Sequence, residues 1–340
     1  MDIDGLVGRS VKQNASDLHL CTGYPPVLRI DGELCRCEDL PVVEASQMLG
    51  LIHAWLDATE QHTLQLAGQV DKALTLGDGV RMRLNIFQQL HGLSAALRPV
   101  PARCPELAAL RVPDILQHVI MQEDGLILVT GATGSGKSTT LAALIDHLNR
   151  HAKRHIITLE DPIELIHTGR QCLIQQRELG LHTRSFGEAV RGALREDPDV
   201  LLLGELRDTD SIRLALTAAE TGHLVLATLH TRNATQAIDR LVDVFPAEEK
   251  AFVRAQLAGS LRAVIAQKLA VTEEKDGRKA GRVALFEVLT STPAVCNLIR
   301  EGKTHQMADI LQTGAQAGMQ TFAQSRQQRQ RAGLLAEDQD

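Results

Sequence analysis

The chain has 340 residues, 44% hydrophobic and 23% charged, a composition ordinary for one large or two average globular domains. A formal charge of −6 argues against a surface that coats nucleic acid, and 2% aromatic residues leave few platforms for stacking single-stranded bases. No apolar run approaches the ~18 residues of a membrane span, and the opening MDIDGLVGRS lacks the basic and apolar regions of a signal peptide, so a cytoplasmic protein is expected.

The N-terminal part mixes strand and helix patterns. VLRIDGEL (27–34) alternates around Asp31-Gly32, a hairpin signal. EASQMLGLIHAWLDA (44–58) carries a helical period. VDKALTLGDGVRMRLNIF (70–87) reads as two strands around Gly77-Asp78-Gly79. In the second strand Val80, Met82, Leu84 and Ile86 share one face, and Arg81, Arg83 and Asn85 take the other. A small α+β domain with a curved antiparallel sheet is expected over 1–98.

PVPARCPELAALRVP (99–113) holds Pro99, Pro101, Pro105 and Pro113, and so reads as a linker. Beyond it, apolar strands Leu126 to Val129, Ile156 to Leu159, Val200 to Leu203 and Leu224 to Ala227 alternate with helical patterns. That alternation predicts an α/β domain over 114–290 with a parallel sheet covered on both faces. Ser185 and Glu188 are spaced as a capping box, and the helix containing Ile212, Ala215, Leu216 and Ala219 is expected to stop at Gly222. From Pro246 onward the chain reads as mostly helical, with a C-terminal helical region over 291–340 and a fraying polar end, QSRQQRQRAG. The cysteines are Cys21, Cys35, Cys37, Cys104, Cys172 and Cys296, and only Cys35 and Cys37 are close. Reduced thiols are expected rather than a zinc site.

Four segments carry chemistry. GATGSGKST fits G-x-x-x-x-G-K-[ST] between a strand and a helix. Its nine residues, Gly131, Ala132, Thr133, Gly134, Ser135, Gly136, Lys137, Ser138 and Thr139, would cradle phosphates with backbone N–H groups. Lys137 would contact the β- and γ-phosphates, and the Ser138 hydroxyl would bind Mg²⁺. ITLEDPIE (157–164) ends a strand in Glu160-Asp161-Pro162, with Glu164 beyond. Ligands bind at the carboxyl ends of parallel strands, so these acids point to the phosphate crevice, although alone they would read as a solvated turn.

LLLGELRD follows its strand with Gly204-Glu205, not with the usual Mg²⁺-holding aspartate. Glu205 has the reach for a metal-bound or attacking water. The plain alternative is a surface glutamate paired with Arg207, which leaves the glycine unexplained. HLVLATLHT (223–231) puts Thr228, His230 and Thr231 at a strand's carboxyl end and His223 at its start. His230 or a threonine there can sense a γ-phosphate; His223 divides evenly between packing and function. Arg81, Arg83 and Arg98 are candidates to stabilise transferring phosphate, against the commoner reading of solvated arginines.

Together these segments resemble the secretion ATPases that power type II secretion and type IV pili. SIRLALTAAETGHLVLATLHT, IDRLVDVFPAEEK, LRAVIAQKL and GMQT resemble the PilT-like retraction branch, and SDLHLCTGYPPVLRIDGEL resembles the start of its PAS-like domain. The resemblance spans about residues 16–322. It implies a RecA-like P-loop NTPase domain behind an N-terminal PAS-like domain, assembled as a homohexamer that hydrolyses ATP with Mg²⁺. It implies nucleotide held between the two domains, with Arg81, Arg83 and Arg98 closing on it. Glu205 would be the catalytic carboxylate, and Glu160 and Glu164 the acidic box, with Glu160 reaching Mg²⁺ through water. The implied partner is an inner-membrane pilus platform protein, with peripheral membrane association through it and no nucleic acid. Retraction is favoured over extension, because the paired zinc cysteines and the longer N-terminal region of extension relatives are missing. The alternatives are an extension, type II secretion or DNA-transfer ATPase, or a weakly active regulatory paralogue. AVCNLIRE (294–301) departs from the retraction motif by placing Cys296 where that motif has an arginine.

Overall fold

The computed structural model describes residues 2–30, 32–77, 79–100, 104–272 and 281–336. The chain divides into two compact units, Met1–Arg103 and Cys104–Asp340. Asp31, Asp78 and Pro101, named above in two turns and the linker, lie outside the described residues.

In the first unit α1 (Ile3–Lys12), β1 (Asp17–Cys21), β2 (Val27–Ile30), β3 (Glu33–Arg36), α2 (Ala45–Trp55), α3 (Ala58–Ala67), β4 (Gln69–Leu76), β5 (Val80–Gln89) and β6 (Gly92–Pro99) follow in order. The strands form one antiparallel sheet ordered β3-β2-β1-β6-β5-β4. Period-two alternation on β5 buries Met82, Leu84 and Ile86 with Leu18, Leu20 and Leu97 against Met48, Ile52 and Trp55 of α2. Arg81 and Arg83 take the opposite side of β5, and Arg83 lies across from Arg98 on β6.

The second unit runs α4 (Leu107–Leu110), α5 (Ile115–Val119), β7 (Gly125–Thr130), α6 (Lys137–His151), β8 (His155–Glu160), β9 (Leu173–Glu178), α7 (Phe186–Ala193), β10 (Val200–Glu205), α8 (Thr209–Glu220), β11 (Leu224–Leu229), α9 (Ala234–Asp243), α10 (Ala247–Ser260), β12 (Leu261–Val271), β13 (Arg282–Thr290), α11 (Pro293–Glu301), α12 (Met307–Thr313) and α13 (Phe322–Arg331). Its sheet is ordered β13-β12-β7-β11-β10-β8-β9 and is parallel except for β13. Strands of such a sheet are buried on both faces, which is why they read as unbroken apolar runs. Leu128, Leu159, Leu203 and Ala227 face one core with α7 to α11; Ile127, Ile156, Leu202 and Leu226 face the other with α4 to α6.

Two expectations are corrected here. The chain after Pro246 is not mostly helical: β12 and β13 pair over Ala263–Val271 and Arg282–Thr290, and β12 docks in parallel on β7. The uninterrupted apolar sequence of β12 supplies the buried strand beside β7 that a helix could not. The polar end does not fray either. It forms α13, whose Ser325 Oγ accepts from Phe286 N at 3.0 Å and whose Arg329 Nε donates to Ala284 O at 3.2 Å. Arg329 also donates to Arg111 O at 2.5 Å, so a helix without an apolar face is docked by hydrogen bonds to backbone. A smaller correction concerns α7: Ser185 Oγ accepts from Glu188 N at 3.3 Å, which is half of the expected reciprocal box.

Candidate active site

The carboxyl ends of β7, β11, β10 and β8 lie side by side, and each delivers one of the predicted segments. Beyond Thr130 the chain turns through Gly131–Gly136 and enters α6 at Lys137. A Cβ on Gly131 would fall 2.3 Å from Gln267 O and 2.5 Å from Ser135 Oγ. Gly136 caps α6 at φ 90°, and a Cβ there would meet Gln267 Nε2 at 2.8 Å. The loop is thus drawn tight over the N-terminus of a 15-residue helix, where free N–H groups favour an anion. Ser135 Oγ is buried with no hydrogen-bond partner. Lys137 is buried, and its Nζ donates to Gly131 O at 2.8 Å and Ala132 O at 3.1 Å. Burial pushes its pKa down, against the upward pull of the Glu205 and Glu164 carboxylates. Both acids therefore act on the loop lysine. Ser138 and Thr139 follow in the first turn of α6, half-buried.

Glu160 ends β8 and is half-buried. Its Oε1 accepts from Thr158 Oγ1 at 2.6 Å and Gln176 Nε2 at 3.2 Å. Burial pushes its carboxyl up, while these donors and the Glu164 N–H pull it down. Glu164 itself is exposed.

Glu205 ends β10 behind a bulge: Leu203 pairs with Ala227 and Glu205 with Thr228, so two residues of β10 span one of β11. Glu205 Oε2 lies 2.9 Å from Arg207 Nε and 3.2 Å from His230 Nε2. Burial pushes its carboxyl up, but Arg207 and His230 outweigh that and hold it below the usual range. Glu205 is therefore a carboxylate at neutral pH. The pairing with Arg207 is the one the plain reading anticipated, and Arg207 also approaches Asp161 at 3.9 Å. The preceding glycine has its own cause: a Cβ at Gly204 would sit 3.2 Å from Leu159 O on the adjoining strand.

The threonines of the histidine segment spend their hydroxyls on backbone. Thr228 Oγ1 donates to Gly204 O at 2.5 Å. Thr130 Oγ1 accepts from Thr231 N at 2.9 Å and lies 2.7 Å from Thr231 Oγ1, tying β7 to the segment after β11. His223 is structural, since its Nδ1 lies 3.1 Å from Ala218 O at the end of α8, on the opposite edge of the sheet. In the first unit Arg98 Nε and Nη2 both donate to Asp17 Oδ1, at 3.0 and 2.9 Å. On α11, Cys296 Sγ lies 3.2 Å from Ser291 Oγ, and its neighbours Val295, Leu298 and Ile299 are buried. Sequence reasoning missed Gln267, the polar residue under the phosphate loop; the signal available was one glutamine inside the apolar run LRAVIAQKLA.

Fold and site together define a P-loop nucleotide-binding domain with two acidic strand ends beside the loop. Comparison with known proteins is specific. Residues 2–338 match the family model "Type II/IV secretion system protein". The chain is 56% identical to the uncharacterized protein YggR of Escherichia coli, over 98% of the chain and 100% of that protein. It is 48% identical to the type IV pilus retraction ATPase PilT of Pseudomonas aeruginosa, over 95% of the chain and 92% of PilT. The crystal structure of the pilus retraction motor PilT with bound ADP superposes with a TM-score of 0.90 at 40% identity, covering 99% of this chain and 95% of that one. The chain belongs to the type II/IV secretion system protein family, and its fold is that of the secretion ATPases.

Proposed function

We propose that this chain is an ATPase motor of the pilus-retraction kind. The observation that carries the reading is Glu205, held by His230 and Arg207 on a strand end two places from the P-loop strand, in a chain 48% identical to PilT. ATP is the substrate. The P-loop backbone and Lys137 hold its phosphates, and Glu205, ionised and oriented by two cationic or N–H donors, aligns the attacking water. Full proton removal is not demanded, because phosphoryl transfer passes through a loose transition state in which positioning and charge stabilisation dominate.

The donor set fits Mg²⁺. Among the described residues no group of three or more His, Cys, Asp or Glu could hold a metal by itself. Mg²⁺ at phosphate sites is bound mainly by substrate oxygens and water with one or two protein ligands. Ser138 Oγ would be the direct ligand and Glu160 would act through water. Bound there, the ion neutralises charge on the β- and γ-phosphate oxygens.

Assembly as a homohexamer, a cytoplasmic location and docking on an inner-membrane pilus platform protein follow the same reading. It is consistent with them that no described helix is long and apolar enough to cross a membrane. Arg81, Arg83 and Arg98 are the candidate cations for the transferring phosphate. Arg81→Ala and Arg98→Ala should each lower kcat about 10³-fold with nucleotide Kd within about threefold. Unchanged rates would return these arginines to structural pairs such as Arg98–Asp17.

The decisive experiment joins two measurements, ATP turnover by the purified oligomer and surface pili after gene deletion. Turnover with pili accumulating in the deletion supports retraction. Loss of pili points to extension, and DNA-stimulated turnover to DNA transfer. Absence of turnover points to a regulatory paralogue, the reading that Cys296 favours because it puts a neutral thiol where the retraction motif has a cation.

A further inference from the structure

We propose that Gln267 on β12 is a positioning residue for the phosphate-binding loop. The inference rests on the nucleotide-binding reading of that loop. Gln267 is 4% exposed, so its amide must find partners within the protein or destabilise the fold. Both ends are satisfied by the same motif. Nε2 donates to Ser135 O at 2.8 Å, and Oε1 accepts from Thr140 Oγ1 at 2.7 Å. The amide orientation is fixed by chemistry, because a backbone carbonyl can only accept and must face Nε2.

These contacts grip the loop on both sides of its turn into α6. Ser135 is the residue before the helix cap Gly136, and Thr140 closes the first turn of α6 through Thr140 N to Gly136 O at 3.0 Å. The backbone of Gln267 also fills the space above Gly131, and its amide fills that above Gly136. One residue therefore accounts for two of the three loop glycines and for the aim of the N–H groups between them. A flexible loop would have to be ordered by the nucleotide itself, and that ordering cost would appear as weaker binding. Gln267 touches neither Glu205 nor His230, which sit on β10 and after β11. Its effect is thus confined to binding and leaves the chemical step alone.

The alternative is a satisfied core amide with no bearing on the loop. A split between KM and kcat separates the two, because general loosening of the fold does not select one over the other. The probe is the fluorescent nucleotide mant-ADP, titrated against the full-length protein, with steady-state ATP turnover measured in parallel. Gln267→Met, matched in length and lacking donor and acceptor, should raise the mant-ADP Kd and the ATP KM at least tenfold with kcat within threefold. Gln267→Glu should weaken binding at least as much, because it sets a carboxylate oxygen against Ser135 O. Thr140→Val removes only the second contact and should stay within threefold. Gln267→Asn retains the amide but cannot span both partners; it carries the same expectation as Gln267→Met should the latter not fold. Wild-type Kd in Gln267→Met or Gln267→Asn, or a loss confined to kcat, would overturn the proposal. Failure of the wild-type protein to bind mant-ADP would instead overturn the nucleotide reading beneath it.

Discussion

Glu205→Gln should bind ATP with wild-type affinity and turn it over at least ~10²-fold more slowly, the lower end of what a positioned acid–base group contributes. Glutamine keeps the length of the side chain and one acceptor oxygen, so the bulge and the contact with Arg207 can persist. It loses the charge that His230 and Arg207 now hold in the ionised form, and it places an amide donor where a water must donate. Nucleotide affinity is spared because the phosphates are gripped by the loop and Lys137, on another strand end. Turnover within threefold of wild type would remove Glu205 from the chemistry and leave the Arg207 pair as its whole role, worth about 0–1 kcal/mol at an exposed site.

Lys137→Met should weaken nucleotide binding at least tenfold and abolish measurable turnover. Methionine fills the channel that the buried lysine stem occupies, so the change isolates the ammonium group. A hydrogen bond to a charged partner contributes roughly 1.5–3 kcal/mol, which sets the scale of the loss. The ammonium also ties the loop to itself through Gly131 O and Ala132 O. Those carbonyls face the solvent side of the loop, where water can replace it, so the melting temperature should change little. Equilibrium titration with ATP and a thermal melt check both halves. Unaltered affinity would mean that the loop amides alone hold the phosphates.

The sequence disclosed the strands whose apolar runs are covered on both faces, because burial leaves no polar position to blur them. It disclosed the phosphate loop because backbone crowding at Gly131 and Gly136 tolerates no other residue there. It did not disclose β9, an edge strand spelled LIQQRE, where exposure permits polar residues at almost every place. It misread α13, since the contacts that dock QSRQQRQRAG are made by a serine and an arginine, and hydrophobic patterning is blind to these. β12 was missed for the opposite reason: a long apolar run serves a helix or a strand equally well. The candidates Glu205 and His230 were visible separately, one after β10 and one after β11. Their meeting was not, because it depends on strand order, which local patterning does not contain. Glycine 204 was legible as unusual but not as to cause, which is the carbonyl of Leu159 on the adjoining strand.

The bulge at the end of β10 makes this motif sensitive to length as well as to identity. Because Gly204-Glu205 spans a single step of β11, deleting one residue would restore a regular ladder. Side chains alternate between faces residue by residue, so everything after Leu203 would then be transposed to the opposite face. Exchanging Gly204-Glu205 for one aspartate, the commoner acid at such a strand end, would therefore be a frame shift of the surface. The carboxylate and the guanidinium of Arg207 would trade places relative to the phosphate loop, with no change in the chemistry available to either.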